Sequence, residues 1–214
     1  MAEVAAALRA DGHEDWRKYG PLELPPILDA ALAAFDEQGY HGTSVRDIAR
    51  RIGVTVPTLY YHFHNKQAML VELLMGSMRA VLGRCRDAVE DADADPVARF
   101  RALVECTVLY MAHRAPLAFL DTEIRSLEQE NRARYVALRD ELEAMLRHSV
   151  RDAVDTGAFA TAYPVDAARA VLTMCQGVAN WYRPDGPLTP ADLADRYVDI
   201  ALSAVGHRPR GTAA

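Results

Sequence analysis

The stretch Thr43–Leu70, TSVRDIARRIGVTVPTLYYHFHNKQAML, contains two helix starts, one helix stop and the first turns of a long apolar register. Ser44 and Asp47 have the S-x-x-D spacing of a capping box, in which each side chain takes a free amide of the other residue. Val45, Ile48, Ala49 and Ile52 then line one helical face, and Gly53 can take the left-handed position that ends it. Thr55 can cap the next helix, where Pro57 loses nothing because amides of a first turn have no intrahelical partner. Ala49 is small where the two helices approach, and Leu59 and Phe63, four apart, turn to the core. The pattern predicts a helix-turn-helix, against the alternative of an ordinary helical hairpin in an all-α core.

Working outward, Ile27, Ala31, Ala34 and Phe35 recur at helical spacing upstream, with Pro25 and Pro26 at the start and Gly39 available to end the helix. Downstream, a helix from near Asn65 carries Met69, Leu70, Leu73, Leu74, Val81, Leu82, Cys85 and Val89 as far as EDADADP, a span of about 35–40 Å. Beyond Pro96 the pattern stays helical with no convincing strand, through VARFRALVECTVLYMAH, PLAFLDTEIRSL and a long segment ending at Gly157. Two more helices come after it, one over Pro164–Trp181 and one capped by Thr189 and Asp192 in TPAD. The fold class is all-α.

Composition excludes several functions. Lys and Arg number 24 against 30 Asp and Glu, so a net charge of −6 rules out a uniformly basic coat. From Thr43 to Lys66, however, Arg46, Arg50, Arg51 and Lys66 face Asp47 alone, a local +3 that can attract phosphates. Cys85, Cys106 and Cys175 are far apart and form no CxxC pair, which argues against a structural zinc or disulfide framework and fits a reducing cytosol. Neither a secretion signal nor a twenty-residue apolar span is apparent, and residues 1 to about 20 read as a mobile arm. A Gly-rich phosphate loop, an HExxH pair and a nucleophile elbow are all missing, and the seven histidines lack metal-ligand spacing. No enzyme, metal or cofactor is expected.

With Leu59 and Phe63 inward, Thr58, Tyr61 and His62 point outward and Tyr60 lies near a boundary. The stretch TSVRDIARRIGVTVPTLYYHFHNKQAML resembles the tetracycline-repressor (TetR) family of transcriptional regulators over about residues 27 to 74. The resemblance implies a homodimeric, ligand-responsive repressor that binds double-stranded operator DNA. Thr43, Ser44 and Arg46 would then lie at the start of the second helix by the DNA backbone. Thr55 would open the recognition helix, Val56, Pro57, Thr58 and Tyr61 would meet base edges, and Tyr60, His62 and Lys66 would hold phosphates. Val45 and Val56 stand where some relatives carry charged or amide side chains, so the operator sequence does not carry over.

The same resemblance implies an organisation of arm 1–20, helix-turn-helix domain 21–67, effector-binding and dimerisation domain 68–206, and flexible tail 207–214. The last two helices would build the dimer, through Val171, Cys175, Val178, Trp181 and Tyr182 and through Leu193, Tyr197, Ile200 and Ala201. An effector cavity would draw on Met78, Leu103, Cys106, Thr107, Tyr110, Met111, Phe119, Glu123 and Met145, mostly apolar with a few polar groups to orient a ligand. GVANWYRPDGPLTPADLADRYVDIAL is similar to regulators of lipid and steroid catabolism that sense acyl-CoA thioesters, which makes that class the expected effector. The competing function is an all-α small-molecule carrier or interaction module without DNA binding.

Overall fold

The computed structural model describes residues 15–92 and 94–207. Its α-helices are α1 (Pro26–Gly42), α2 (Val45–Arg51), α3 (Val56–His62), α4 (Lys66–Asp91), α5 (Pro96–His113), α6 (Ala115–Phe119), α7 (Gln129–Asp155), α8 (Pro164–Gln176) and α9 (Pro190–Ala204). Two 3-10 turns, Leu120–Ser126 and Gly177–Asn180, interrupt them, and no strand occurs among the described residues. No helix is long and apolar enough to cross a membrane among the described residues.

The described chain divides into two units, 18–80 with 116–138, and 15–17 with 81–115 and 139–207. The sequence boundary expected after residue 67 thus falls inside the first unit, which also takes α4 as far as Ala80 and the segment 116–138.

In the first unit, α1 packs on α2 and on the 3-10 turn Leu120–Ser126, and α2 packs on α3. The expected signals at α2 are realised in detail. Asp47 N–H donates to Ser44 Oγ at 3.2 Å and Ser44 N–H donates to Asp47 Oδ2 at 3.1 Å, closing the capping box. At its far end Val54 N–H reaches Ala49 O at 3.0 Å and Gly53 N–H reaches Arg50 O at 3.3 Å, the two bonds of a Schellman stop. That stop requires φ of 69° at Gly53. Ile48, Ala49 and Leu59 are buried and lock the pair together. α1 is broken at Gly39, whose φ of 72° and ψ of 161° interrupt the helix before a last turn at Tyr40–Gly42.

In the second unit, α5 is buried on most of its faces, and α8 and α9 both pack on it. Ala168, Val171, Leu172 and Cys175 of α8 and Leu193, Ala194, Val198, Ala201 and Leu202 of α9 are buried there. α9 opens with a second capping box, Thr189 with Asp192.

The mobile arm expected over residues 1–20 is corrected where it can be seen. Residues 1–14 lie outside the described residues, but Trp16 is 2% exposed and its indole N–H donates to Asp91 Oδ2 at 2.9 Å. Of the tail expected over 207–214, residues 208–214 lie outside the described residues, and His207 sits with its ring 5.8 Å from that of Phe159.

Candidate functional site

The face assigned to DNA is built from short helices whose inner side chains leave no freedom about which way the outer ones point. Leu59 is fully buried on α3, so its neighbours turn outward: Tyr61 is 87% exposed and Tyr60 48%. Pro57, Thr58 and His62 are exposed as well, and Val56 is half-buried. The Tyr61 and His62 rings meet edge-on at 5.4 Å, which holds the two as one projecting surface. Thr55 caps α3, its hydroxyl accepting from Thr58 N–H at 3.3 Å and lying 2.8 Å from the Thr58 hydroxyl. Ser44 and Arg46 are exposed on the start of α2.

Two residues of the expected set are placed differently. Thr43 is 3% exposed, and its hydroxyl donates within the chain to Ala34 O and Gly39 O, both at 2.9 Å. Its side chain therefore serves the break in α1, not a nucleic-acid backbone. Lys66, expected to hold a phosphate, directs its ammonium at the carbonyls of Tyr40 and Thr43, 2.5 and 2.7 Å away, with the Tyr40 ring centroid at 4.2 Å. One carbonyl is in the last turn of α1 and the other in the connector to α2, so the ammonium ties the end of α1 to the residue that precedes the α2 cap. Burial pushes the Lys66 ammonium below its ordinary value, opposed by the nearby Glu123 carboxylate.

The local charge of +3 is also reduced by pairing. Arg50 meets Asp47 at 2.5 Å, and Arg51 forms a bidentate pair with Glu37, a residue of α1 outside the Thr43–Lys66 window. The Arg51 guanidinium holds the Glu37 carboxyl below the usual range, and Ser44, with help from Arg50, does the same for Asp47. Arg46 carries no ion pair among the described residues and remains the arginine of α2 available to an external anion. Fourteen residues separate Arg51 from Glu37, and no local pattern in the sequence announces the pair.

The residues expected to line an effector cavity fall in both units. In the second, Leu103, Cys106, Thr107, Tyr110 and Met111 are buried on α5, and Met145 is half-buried on α7. Thr107 donates its hydroxyl to Leu103 O at 2.7 Å, which leaves it only acceptor capacity for a ligand. Cys106 Sγ lies 3.6 Å from Cys85 Sγ, and burial, ahead of that neighbour, raises its thiol well above the ordinary value. In the first unit Met78 is buried and Phe119 is 41% exposed. Glu123, expected to orient a ligand, instead accepts from Tyr40 N–H at 3.2 Å and from the Ser126 hydroxyl at 3.2 Å. Like Lys66, it holds the last turn of α1.

Most of the expected dimer residues are already buried within the chain's own second unit. Val171, Cys175, Val178, Tyr182, Leu193 and Ala201 are 8% exposed or less, and α5 is the helix on which α8 and α9 pack. The Tyr182 hydroxyl donates to Leu188 O at 3.0 Å. Trp181 and Ile200 are about half exposed, and Tyr197 stacks on Trp181 with ring centroids 6.4 Å apart at 27°. Trp181 and Ile200 thus point outward, with Tyr197 half-buried against the Trp181 ring.

A family model described as "Bacterial regulatory proteins, tetR family" matches residues 27–73, and one described as "Tetracyclin repressor-like, C-terminal domain" matches residues 93–205. The chain is 31% identical to the HTH-type transcriptional repressor KstR2 of Mycobacterium tuberculosis (strain ATCC 25618 / H37Rv) over 182 residues, 84% of this chain and 90% of that protein. The structure of ketosteroid transcriptional regulator KstR2 of Mycobacterium tuberculosis superposes with a TM-score of 0.78 at 28% identity, covering 85% of this chain and 94% of that one. AibR, solved in complex with isovaleryl coenzyme A and operator DNA, superposes with a TM-score of 0.72 at 28% identity, covering 81% and 95% respectively.

Proposed function

Since the chain belongs to the TetR family of transcriptional regulators, we propose that it is a dimeric repressor of the cytoplasm that binds a palindromic operator and is released by a small, largely apolar effector. The observation that carries this reading is the outward Tyr60–Tyr61–His62 surface of α3, held away from the core by fully buried Leu59. Phenol and imidazole groups on an exposed recognition helix combine hydrogen-bonding groups with flat apolar area, which suits phosphates, base edges and thymine methyls. Arg46 adds a cation at the start of α2.

An acyl-CoA thioester is the effector class we favour. KstR2 is a ketosteroid transcriptional regulator, and AibR takes isovaleryl coenzyme A together with operator DNA. Two recognition helices of a dimer read successive major grooves about 34–36 Å apart. An effector acts by binding more tightly to a conformer with another separation, and each tenfold difference in its affinity for the two conformers shifts their balance by about 1.4 kcal/mol.

The test is retention by double-stranded DNA from the protein's own upstream region, set against unrelated DNA at the same salt concentration, followed by a panel of short-chain, long-chain and steroid-derived CoA thioesters. Preference for the upstream DNA, abolished by one of the thioesters, is the expected result. Equal retention by both DNAs would remove the repressor reading in favour of a ligand carrier. Preference that no thioester disturbs would remove the effector class alone.

A further inference from the structure

The segment before α1 supplies an anchor that DNA reading by α3 does not itself require. Trp16 is 2% exposed, with its indole N–H on Asp91 Oδ2 at 2.9 Å. Arg84 Nη1 donates to the Trp16 carbonyl at 2.8 Å. The guanidinium carbon of Arg17 lies 3.8 Å from the Trp16 ring centroid, and its nitrogens grip Glu105 through Nε to Oε1 at 2.6 Å and Nη2 to Oε2 at 3.1 Å. A buried indole removes about 150–250 Å² from water, and a bidentate guanidinium–carboxylate pair adds orientation to attraction. Asp15–Arg17 are thereby part of the second unit, although Lys18–Ala80 belong to the first.

The connection from this anchor to α1 is short and stiff. Eight residues, Lys18–Pro25, lead from Arg17 to the first residue of α1. They include Pro21 and Pro25, and none is helical. Even fully extended, they span at most about 26–29 Å, and the prolines narrow the range of end-to-end distances further.

We propose that Trp16 and Arg17 are positioning residues for DNA binding: they anchor a strap whose length limits the excursions of α1 and, through the packing of α1 on α2 and α2 on α3, of the recognition helix. The inference rests on the repressor function proposed for α3. A restrained reading head has less conformational freedom to lose on the operator, so slackening the strap weakens binding without touching any residue that meets DNA.

The experiment doubles the strap. Eight Gly/Ser residues are inserted between Gly20 and Pro21 of the full chain, leaving Trp16, Arg17 and every helix unchanged. Doubling a loop weakens closure about threefold, so a dimer with two straps should bind its upstream DNA up to about ninefold more weakly. The salt dependence should stay the same, because no phosphate-neutralising group is removed. Slow hydrogen exchange at the Trp16 indole, the same in both proteins, is expected to show the anchor intact. Trp16→Ala should weaken binding at least as much; if that variant fails to fold, the insertion decides alone. Upstream-DNA affinity within about 1.5-fold of wild type in the insertion variant, or a weakening accompanied by fast Trp16 indole exchange, overturns the strap while leaving the repressor reading standing. A wild-type chain with no preference for upstream DNA overturns both.

Discussion

At 87% exposure the Tyr61 ring has almost nothing to stabilise in the free protein, which separates its effect on folding from its effect on recognition. Tyr61→Ala should leave stability within about 0.5 kcal/mol of wild type by urea denaturation, yet lower the ratio of upstream to unrelated DNA affinity by about tenfold or more. Lys66 is the opposite case. Lys66→Met leaves the carbonyls of Tyr40 and Thr43, at the end of α1, without their ammonium, and should cost about 1–3 kcal/mol in the same denaturation. Its plot of log affinity against log salt should keep the wild-type slope; a slope shallower by about one would mark a phosphate contact after all. The outward direction of Tyr61 was legible in the sequence because Leu59 and Phe63 set the phase of a short helix. The task of Lys66 was not, since its partners stand 26 and 23 residues away along the chain.

Among the elements, the turn between α2 and α3 depends on one backbone conformation. A Cβ at Gly53 would meet nothing within 4 Å, so replacement there incurs backbone strain without a clash. Gly53→Ala should therefore cost about 1–2 kcal/mol, Gly53→Asn less and Gly53→Val more, read as shifts of the urea midpoint. The two capping boxes give a pH signature. Hydrogen bonds from Ser44 hold the Asp47 carboxyl below its ordinary range, and those from Thr189 do so for Asp192. Groups with depressed native values contribute stability that is complete above the unfolded carboxylate pKa of about 4 and lost as pH falls through the lower native values. A double variant, Asp47→Asn with Asp192→Asn, should accordingly show a shallower fall of Tm below about pH 4; an acid limb parallel to wild type would count against the boxes. Caps, glycine stop and helix order were all readable, because each is written within four or five residues. The break of α1 at Gly39 was readable too, but the further turn at Tyr40–Gly42, whose Tyr40 N–H donates to Glu123 from 83 residues away, and the 3-10 form of Leu120–Ser126 were not.

On the scale of the whole molecule, α8 and α9 each have an apolar face, and that face is consumed inside the chain. Trp181 and Ile200 remain exposed, with Tyr197 stacked on Trp181, and we propose that a second copy meets the chain there. Ile200→Glu, about half exposed in the single chain, should weaken self-association at least about tenfold, as judged by sedimentation equilibrium, with the monomer still folded. Val171→Ala, buried to 1%, should instead lower stability by about 1–3 kcal/mol. If the two variants exchanged these effects, the division of the surface would be wrong.

The sequence by itself determined what short-range stereochemistry can encode: an all-α chain, the cap and stop of α2, the phase of α3 and hence the outward tyrosines. Only the tertiary structure decided which charges are free and which apolar faces are spent. Arg51 is neutralised by Glu37 on α1, Thr43 and Lys66 turn inward to backbone groups, Trp16 is buried beside Asp91, and α8 and α9 cover α5. The reason is physical. Periodicity tells that a side chain will leave water, but the identity of its partner depends on chain segments brought together across tens of residues, and no local pattern of residues records that meeting.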